Sequence, residues 1–386
     1  MVSTIIIFIL VLSVLIFAHE LGHFFTARRF GVKVEEFGFG FPPRAVGWYK
    51  NRYGHWRKIV GDRSPESLAA SEDEKLHPAN KAVIYSINWL PIGGFVKIKG
   101  ENGEEKEEND SFASKSIGRR IVILAAGVIM NVILAWFLIS VGYLIGLPQS
   151  TETLAKNARI STPQVVVAQV ITDSPAASAG LKEGDAILRI NNITVGTEKA
   201  LQDAVAASAG QEVELLINRT GQEQIIKVIP VSKDGERVTM GVAIFAAGLV
   251  HYPFFTAFWE GAKTVGWFLG EIFTAFYDLF KNIFSGHKVS DQFAGPVGIA
   301  TITGQAADLG LSYLLQFVAL LSLNLAVLNI LPFPALDGGR ILFLLIEKIK
   351  GKPVRREVEA LIHNIGFFLL IALVIFITYK DIIKLF

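Results

Sequence analysis

Four stretches of this chain carry no charge and approach or exceed the length that spans a bilayer: residues 1–18, 121–147, 309–336 and 364–379. A hydrocarbon core of about 30 Å takes roughly 20 apolar residues as a helix. Backbone inside that core must satisfy its own hydrogen bonds, so helices are the only economical fold for such runs. Charged residues make up 19% of the chain, below the roughly 25% of soluble domains. The net charge of +2 provides no global field for nucleic acid. With no cysteine, thiolate catalysis, iron–sulfur clusters and Cys-type zinc sites are excluded. The first run lacks a basic leader and a small-residue cleavage site, and reads as a retained span.

Lysine and arginine set the expected orientation. They crowd residues 28–58, 119–120 and 340–356, whereas 148–308 leans acidic. The 28–120 and 340–356 loops are therefore expected in the cytoplasm, with both termini outside. Lys380 and Lys384 are a small contrary signal. The acidic run 101–110 reads as a solvated loop.

Between the second and third spans the pattern changes. Short β-type runs at 165–171, 186–190, 213–218 and 224–231 alternate with turn residues, and 198–207 reads as a helix. The stretch SPAASAGLKEGDAILRINN, residues 174–192, resembles a PDZ domain. That resemblance implies a groove that takes a peptide or a C-terminus as an added strand. Farther on, Phe254, Phe258, Val265, Leu269, Ile272, Phe276 and Ile283 recur at helical spacing, with charges between them. Glu271 and Asp278 disfavour a fifth span, and an interfacial amphipathic helix is expected over 250–290.

The first span leads into His19-Glu20-Leu21-Gly22-His23. Two histidines at i and i+4 share one helix face and suit a single zinc ion. A glutamate one position after the first histidine can reach the attacking water without being a ligand, as in zinc-protease general bases. Ionisable groups in an apolar span cost several kcal/mol unless paired or metal-bound, which favours a functional reading over a chance match.

A catalytic zinc takes three protein ligands and keeps one position open. Glu35, Glu36 and His363 are conceivable third ligands, but Asp337 is best placed. It follows an uncharged run at the expected cytoplasmic end of span three. The histidine motif lies five to nine residues before Arg28, roughly 8–14 Å from the basic boundary. Pro332, Pro334, Gly338 and Gly339 break the backbone around Asp337. Broken backbone at membrane depth belongs in a protein-lined or wet cavity.

Together, FAHELGH at 17–23 and NILPFPALDGG at 329–339 resemble the site-2 protease family of intramembrane zinc peptidases. Further matching stretches are Phe37–Pro42, Leu90–Phe95, Ala126–Asn131 and Gly295–Gly298. With one PDZ-like module, the chain is similar to the bacterial branch that cuts anti-sigma factors and signal-peptide remnants. The resemblance implies that His19, His23 and Asp337 hold Zn2+ and that Glu20 activates water. It implies that Asn329 contacts the substrate backbone or the oxyanion. Gly93, Gly94 and Phe95 would belong to a membrane-dipping β-element that holds the substrate extended. Some family members carry two PDZ modules, and gating schemes that need two do not transfer. Gly127-Val128 replaces the family's frequent Gly-Pro, so no role is assigned to Asn131.

The expected fold is a polytopic α-helical membrane protein with four transmembrane helices and a soluble β-rich PDZ-like domain inserted between helices two and three. Its parts are 1–147 (HExxH helix, β-element and second span), 163–245 (PDZ-like domain), 250–290 (interfacial helix) and 309–386 (LDG motif and fourth span). The expected activity is zinc-dependent cleavage of single-span membrane proteins in a bacterial inner membrane, after a first extracytoplasmic cut. Expected partners are those substrates, a peptide at the PDZ groove and the bilayer, without nucleic acid. Two rivals stand beside it. A metal transporter would more typically place its site at the midplane between repeats, and no internal repeat is visible. A silent PDZ scaffold would have no need of Glu20.

Overall fold

The computed structural model describes residues 2–51, 53–62, 83–150, 154, 157–219, 221–231, 238–285 and 295–383. His77 and His287 lie outside the described residues. In chain order the elements open with α1 (Val2–Arg29), β1 (Val34–Lys50), β2 (Trp56–Val60), β3 (Ile84–Ile98) and α2 (Ile117–Ile145). Then come β4 (Leu147–Ser150), β5 (Arg159–Val170), α3 (Pro175–Ser178), β6 (Ala186–Ile190), β7 (Ile193–Thr194) and α4 (Glu198–Ala207). Next are β8 (Val213–Arg219), β9 (Gln222–Val228), β10 (Val242–His251) and α5 (Phe254–Phe284). The chain closes with α6 (Pro296–Leu309), α7 (Leu311–Ile330), α8 (Asp337–Lys350) and α9 (Arg356–Ile383). Among the described residues α1, α2, α7 and α9 are long and apolar enough to cross a membrane.

The helices overrun the uncharged stretches. α1 continues through the His-Glu-Leu-Gly-His motif to Arg29 and stops before Gly31, at φ +68°. No breaker intervenes, and Phe24 and Ala27 keep a buried face beyond the motif. α9 starts at Arg356, where Glu357 and Glu359 in its first turn suit the positive end of the helix dipole. The third uncharged run divides instead. α7 ends at Ile330, Pro332 and Pro334 interrupt it, and α8 begins at Asp337.

The chain separates into two compact units, residues 1–136, 265–304 and 318–386 in one, and 137–264 and 305–317 in the other. In the first, Phe24, Val34, Phe37, Ile98, Ile123 and Leu344 share one buried core that ties α1, β1, β3, α2 and α8 together. Its sheet has the order β2-β1-β3, but β1 and β3 are long and bent, so each contributes two arms. Residues 84–87 pair with both 36–39 and 46–48, while 94–98 pair with 34–39. The register shifts between β1 and β3 are the bends that make this possible. The arm 94–98 is consequently an outer edge, with no further strand against it among the described residues.

The second unit contains an antiparallel sheet of order β4-β10-β5-β6-β8-β9, with β7 paired to β6. Val165, Ile187, Leu201, Val213, Leu215 and Ile217 lie in its core. α4 is set by Thr197, whose hydroxyl accepts the Ala200 amide, and it buries Leu201 and Val205 one turn apart. Asp185 is braced by the Arg219 guanidinium through two contacts of 2.7 Å and accepts the Lys182 amide. The short strands and the helix read from the sequence are present. The sheet also recruits 147–150 and 242–251, which alternation within the single module does not reveal.

Candidate metal centre

α1 carries His19 and His23 on one face, and α8 brings Asp337 to them. His19 Nε2 lies 3.0 Å from Asp337 Oδ2, and His23 Nε2 lies 3.5 Å from it. The two Nε2 atoms are 3.2 Å apart. Among the described residues these three form the one His/Asp/Glu group with metal-ligand spacing. A tetrahedral zinc with bonds of about 2.05 Å places its ligand atoms roughly 3.3 Å apart, so the observed triangle has the size of one tetrahedral face.

The donor chemistry agrees. His23 Nδ1 lies 2.9 Å from the Ile123 carbonyl and donates to it, which leaves a lone pair on Nε2. Asp337 Oδ2 is buried without a hydrogen-bond partner. Read as ion pairs, the contacts would need protons on both Nε2 atoms, at 3.2 Å from each other. Three atoms able to donate to a metal converge here, and the residues present therefore suit a divalent cation.

The backbone explains why these groups meet. A Cβ on Gly22 would lie 2.2 Å from the Ala126 carbonyl oxygen, so glycine lets α1 and α2 touch there. A Cβ on Gly127 would lie 2.4 Å from His23 Nε2. Asn131, one turn beyond Gly127, is fully buried, with its side-chain nitrogen 3.3 Å from His19 Nδ1. Its Oδ1 has no partner; with the amide turned over, Oδ1 would accept the His19 Nδ1 proton. Ser322 of α7 donates to the Asn131 carbonyl at 2.8 Å. Sequence reasoning left Asn131 without a role. The usable signal was Gly127 and Asn131 at i and i+4 in an otherwise apolar helix.

A cavity of about 200 Å³ opens on this triangle, lined by His19, Glu20, His23, Gly94, Phe95 and Asp337, among others. Glu20, Gly94 and Phe95 are thus brought to the histidines and the aspartate. Gly93 is not on the cavity wall. Its amide donates to Ser13 Oγ at 3.3 Å, and it packs on Ile16, which fastens the start of the edge arm to α1. Asn329, half-buried near the end of α7, is also outside the cavity lining. The alternative third ligands are engaged elsewhere: Glu36 accepts from Arg44 Nε at 2.8 Å, and Glu35 pairs with Lys97 at 2.8 Å. His363 Nδ1 accepts the Ala335 amide.

The acidic loop is not wholly solvated. Glu101 lines the cavity and pairs with Arg340 of α8. Lys99 is bonded to Glu108, and to Asp110 at 3.0 Å; the Glu108 contact holds its ammonium above the usual lysine range. These attractions order the loop because its acids face Arg340 of α8 and Lys99, just past the end of β3.

Comparison with known proteins supplies the family. The family model described as peptidase family M50 matches residues 7–58 and 76–373. The regulator of sigma-W protease RasP of Bacillus subtilis is 32% identical, covering 100% of this chain and 99% of the relative. A putative zinc metalloprotease of Clostridium acetobutylicum is 33% identical over 98% of this chain and 97% of its own. The solved PDZ domain of an SdrC-like protein from Listeria monocytogenes overlaps 22% of this chain and 92% of its own at 18% identity, with a TM-score of 0.21. A membrane-helical chain with an HExxH–Asp triangle defines a membrane metallopeptidase. This chain belongs to peptidase family M50, the site-2 proteases.

Proposed function

We propose that this chain is a zinc endopeptidase that cuts membrane-spanning segments of single-span proteins, with His19, His23 and Asp337 holding the ion and Glu20 as general base. The observation that carries the reading is the triangle of three potential ligand atoms at 3.0–3.5 Å beside a cavity that also receives Glu20. When bound, zinc would polarise the scissile carbonyl and acidify water. Glu20 takes the proton of the attacking water and hands it to the leaving amine.

A helical substrate hides its carbonyls in internal hydrogen bonds. The free edge 94–98 borders the cavity, so an unwound substrate segment can add to it as a strand and recover backbone bonds. Gly94 and Phe95 stand where that strand would meet the site. Asn329 would contact the substrate backbone or the oxyanion.

In this reading four helices span the bilayer, the β-rich module lies between the second and third, the site lies near the cytoplasmic face, and both termini and the module lie outside. The lysine and arginine bias supports this orientation. α5 would lie at the outer interface: Ala257, Val265 and Ile272 are buried, while Phe255, Trp259 and Trp267 are exposed. The β-rich module is read as a PDZ-like filter for substrates already shortened by a first cut, whether anti-sigma-factor-like proteins or signal-peptide remnants.

The experiment is Glu20→Gln against a single-span reporter in liposomes. Loss of roughly 10²–10⁴-fold in cleavage with zinc content unchanged supports the reading. Cleavage at the parent rate rejects it.

A further inference from the structure

Asp337 does not present itself. It is the first residue of α8, reached through Pro334, Ala335 and Leu336, and Ala335 is at φ +74°, a left-handed conformation that non-glycine residues rarely adopt. Leu336 at the helix start offers no side-chain cap. A strained turn of this kind persists only when its surroundings hold it.

Two residues on one face of α9 do so. The Ala335 amide donates to His363 Nδ1 at 2.8 Å. Three positions on, a Cβ at Gly366 would lie 2.4 Å from Pro334 Cβ, so α9 lies directly on the turn. The His363 ring is further fixed by Phe343 of α8, with ring centroids 5.4 Å apart. Because Nδ1 accepts, a neutral His363 carries its proton on Nε2, which is buried and without a partner. The one directional bond of this imidazole therefore goes to the turn before Asp337.

We propose that His363 is a positioning residue: it fixes the Ala335 turn and so holds the Asp337 carboxylate opposite His19 and His23. This rests on the reading of Asp337 as a metal ligand. The last span thereby enters the centre without contributing a ligand, and displacement of α9 would loosen the metal.

Asparagine carries Oδ1 at the same distance from Cβ as imidazole Nδ1, whereas glutamine reaches the Nε2 position. The test therefore compares full-length His363→Asn, His363→Gln and His363→Ala in detergent, with Asp337→Ala as control. Hydrogen exchange across 331–340 is read in metal-free protein, and zinc retention is read against a chelator. His363→Asn should match the parent in both. His363→Gln and His363→Ala should speed exchange at Ala335 and zinc loss by about three- to tenfold, the size of one hydrogen bond. Parent-like exchange and zinc retention in all three variants, or His363→Asn failing as badly as His363→Gln, overturns the proposal. If Asp337→Ala loses zinc while His363→Ala keeps it, the positioning role alone falls. If Asp337→Ala itself keeps zinc, the ligand reading falls and the proposal with it.

Discussion

His19 Nε2 and Asp337 Oδ2 stand 3.0 Å apart, one on the first helix of the chain and the other on α8. Neither has chemistry of its own at that position. A nitrogen and an oxygen at this spacing suit a cation held between them, so two distant parts of the chain together define the site. Removing the aspartate should release it. Asp337→Ala should weaken zinc binding by more than the roughly 10–100-fold that loss of an outer-shell partner costs. Asp337→Asn should bind more tightly than Asp337→Ala but below the parent, as read by chelator competition.

Gly127→Ala tests how closely α2 approaches the imidazoles. In an ordinary helix this change stabilises by up to about 1 kcal/mol. Here the added methyl would sit 2.4 Å from His23 Nε2 and 2.6 Å from His19 Cε1. The rings must move, and zinc affinity should fall about tenfold or more while helix content is unchanged by circular dichroism.

Much of this site is legible in the sequence, for physical reasons. His19 and His23 are local: helical spacing alone puts them on one face. Asp337 is nonlocal, yet the proline–glycine break around it betrays an interrupted helix at membrane depth. Asn131 was hidden because one amide in an apolar helix has many structural explanations, and only the approach of α1 at Gly22 selects this one. The resemblance already puts Gly94 and Phe95 in a substrate-holding β-element; that their arm ends the sheet is hidden for a different reason. β1 and β3 each fold back within a single strand, and alternation reports strand character without saying which arm ends up outermost. Glu101 read as solvent-facing because its partner, Arg340, is distant in the chain.

Ser13→Ala separates substrate binding from metal binding. Ser13 Oγ donates to the Pro91 carbonyl at 3.1 Å and accepts the Gly93 amide. Without it the edge arm loses its tether to α1. The Michaelis constant for a single-span reporter should rise about two- to tenfold, on the scale of one or two hydrogen bonds, with zinc content equal to the parent.

Arg219→Ala addresses the β-rich module alone. Asp185 has a side chain 1% exposed, and its two carboxylate oxygens are held by Arg219, itself 23% exposed. Losing the guanidinium leaves a buried carboxylate with the Lys182 amide as its remaining partner here. After discounting for the solvent at Arg219, the module should lose about 1–3 kcal/mol. Pulse proteolysis of the full-length protein in urea reads this directly. Peptidase activity on a short substrate that needs no filtering should be unchanged.

The activity proposed here depends on a single zinc ion held by two imidazoles and one carboxylate at the junction of α1 and α8. Zinc K-edge absorption on the active, full-length protein, with metal stoichiometry from elemental analysis, measures it most directly. One zinc per chain is expected, with a nitrogen/oxygen shell near 2.0 Å and two imidazole signatures, lost together in His19→Ala, His23→Ala or Asp337→Ala. Active preparations without zinc, or a zinc signal indifferent to those three substitutions, would contradict it.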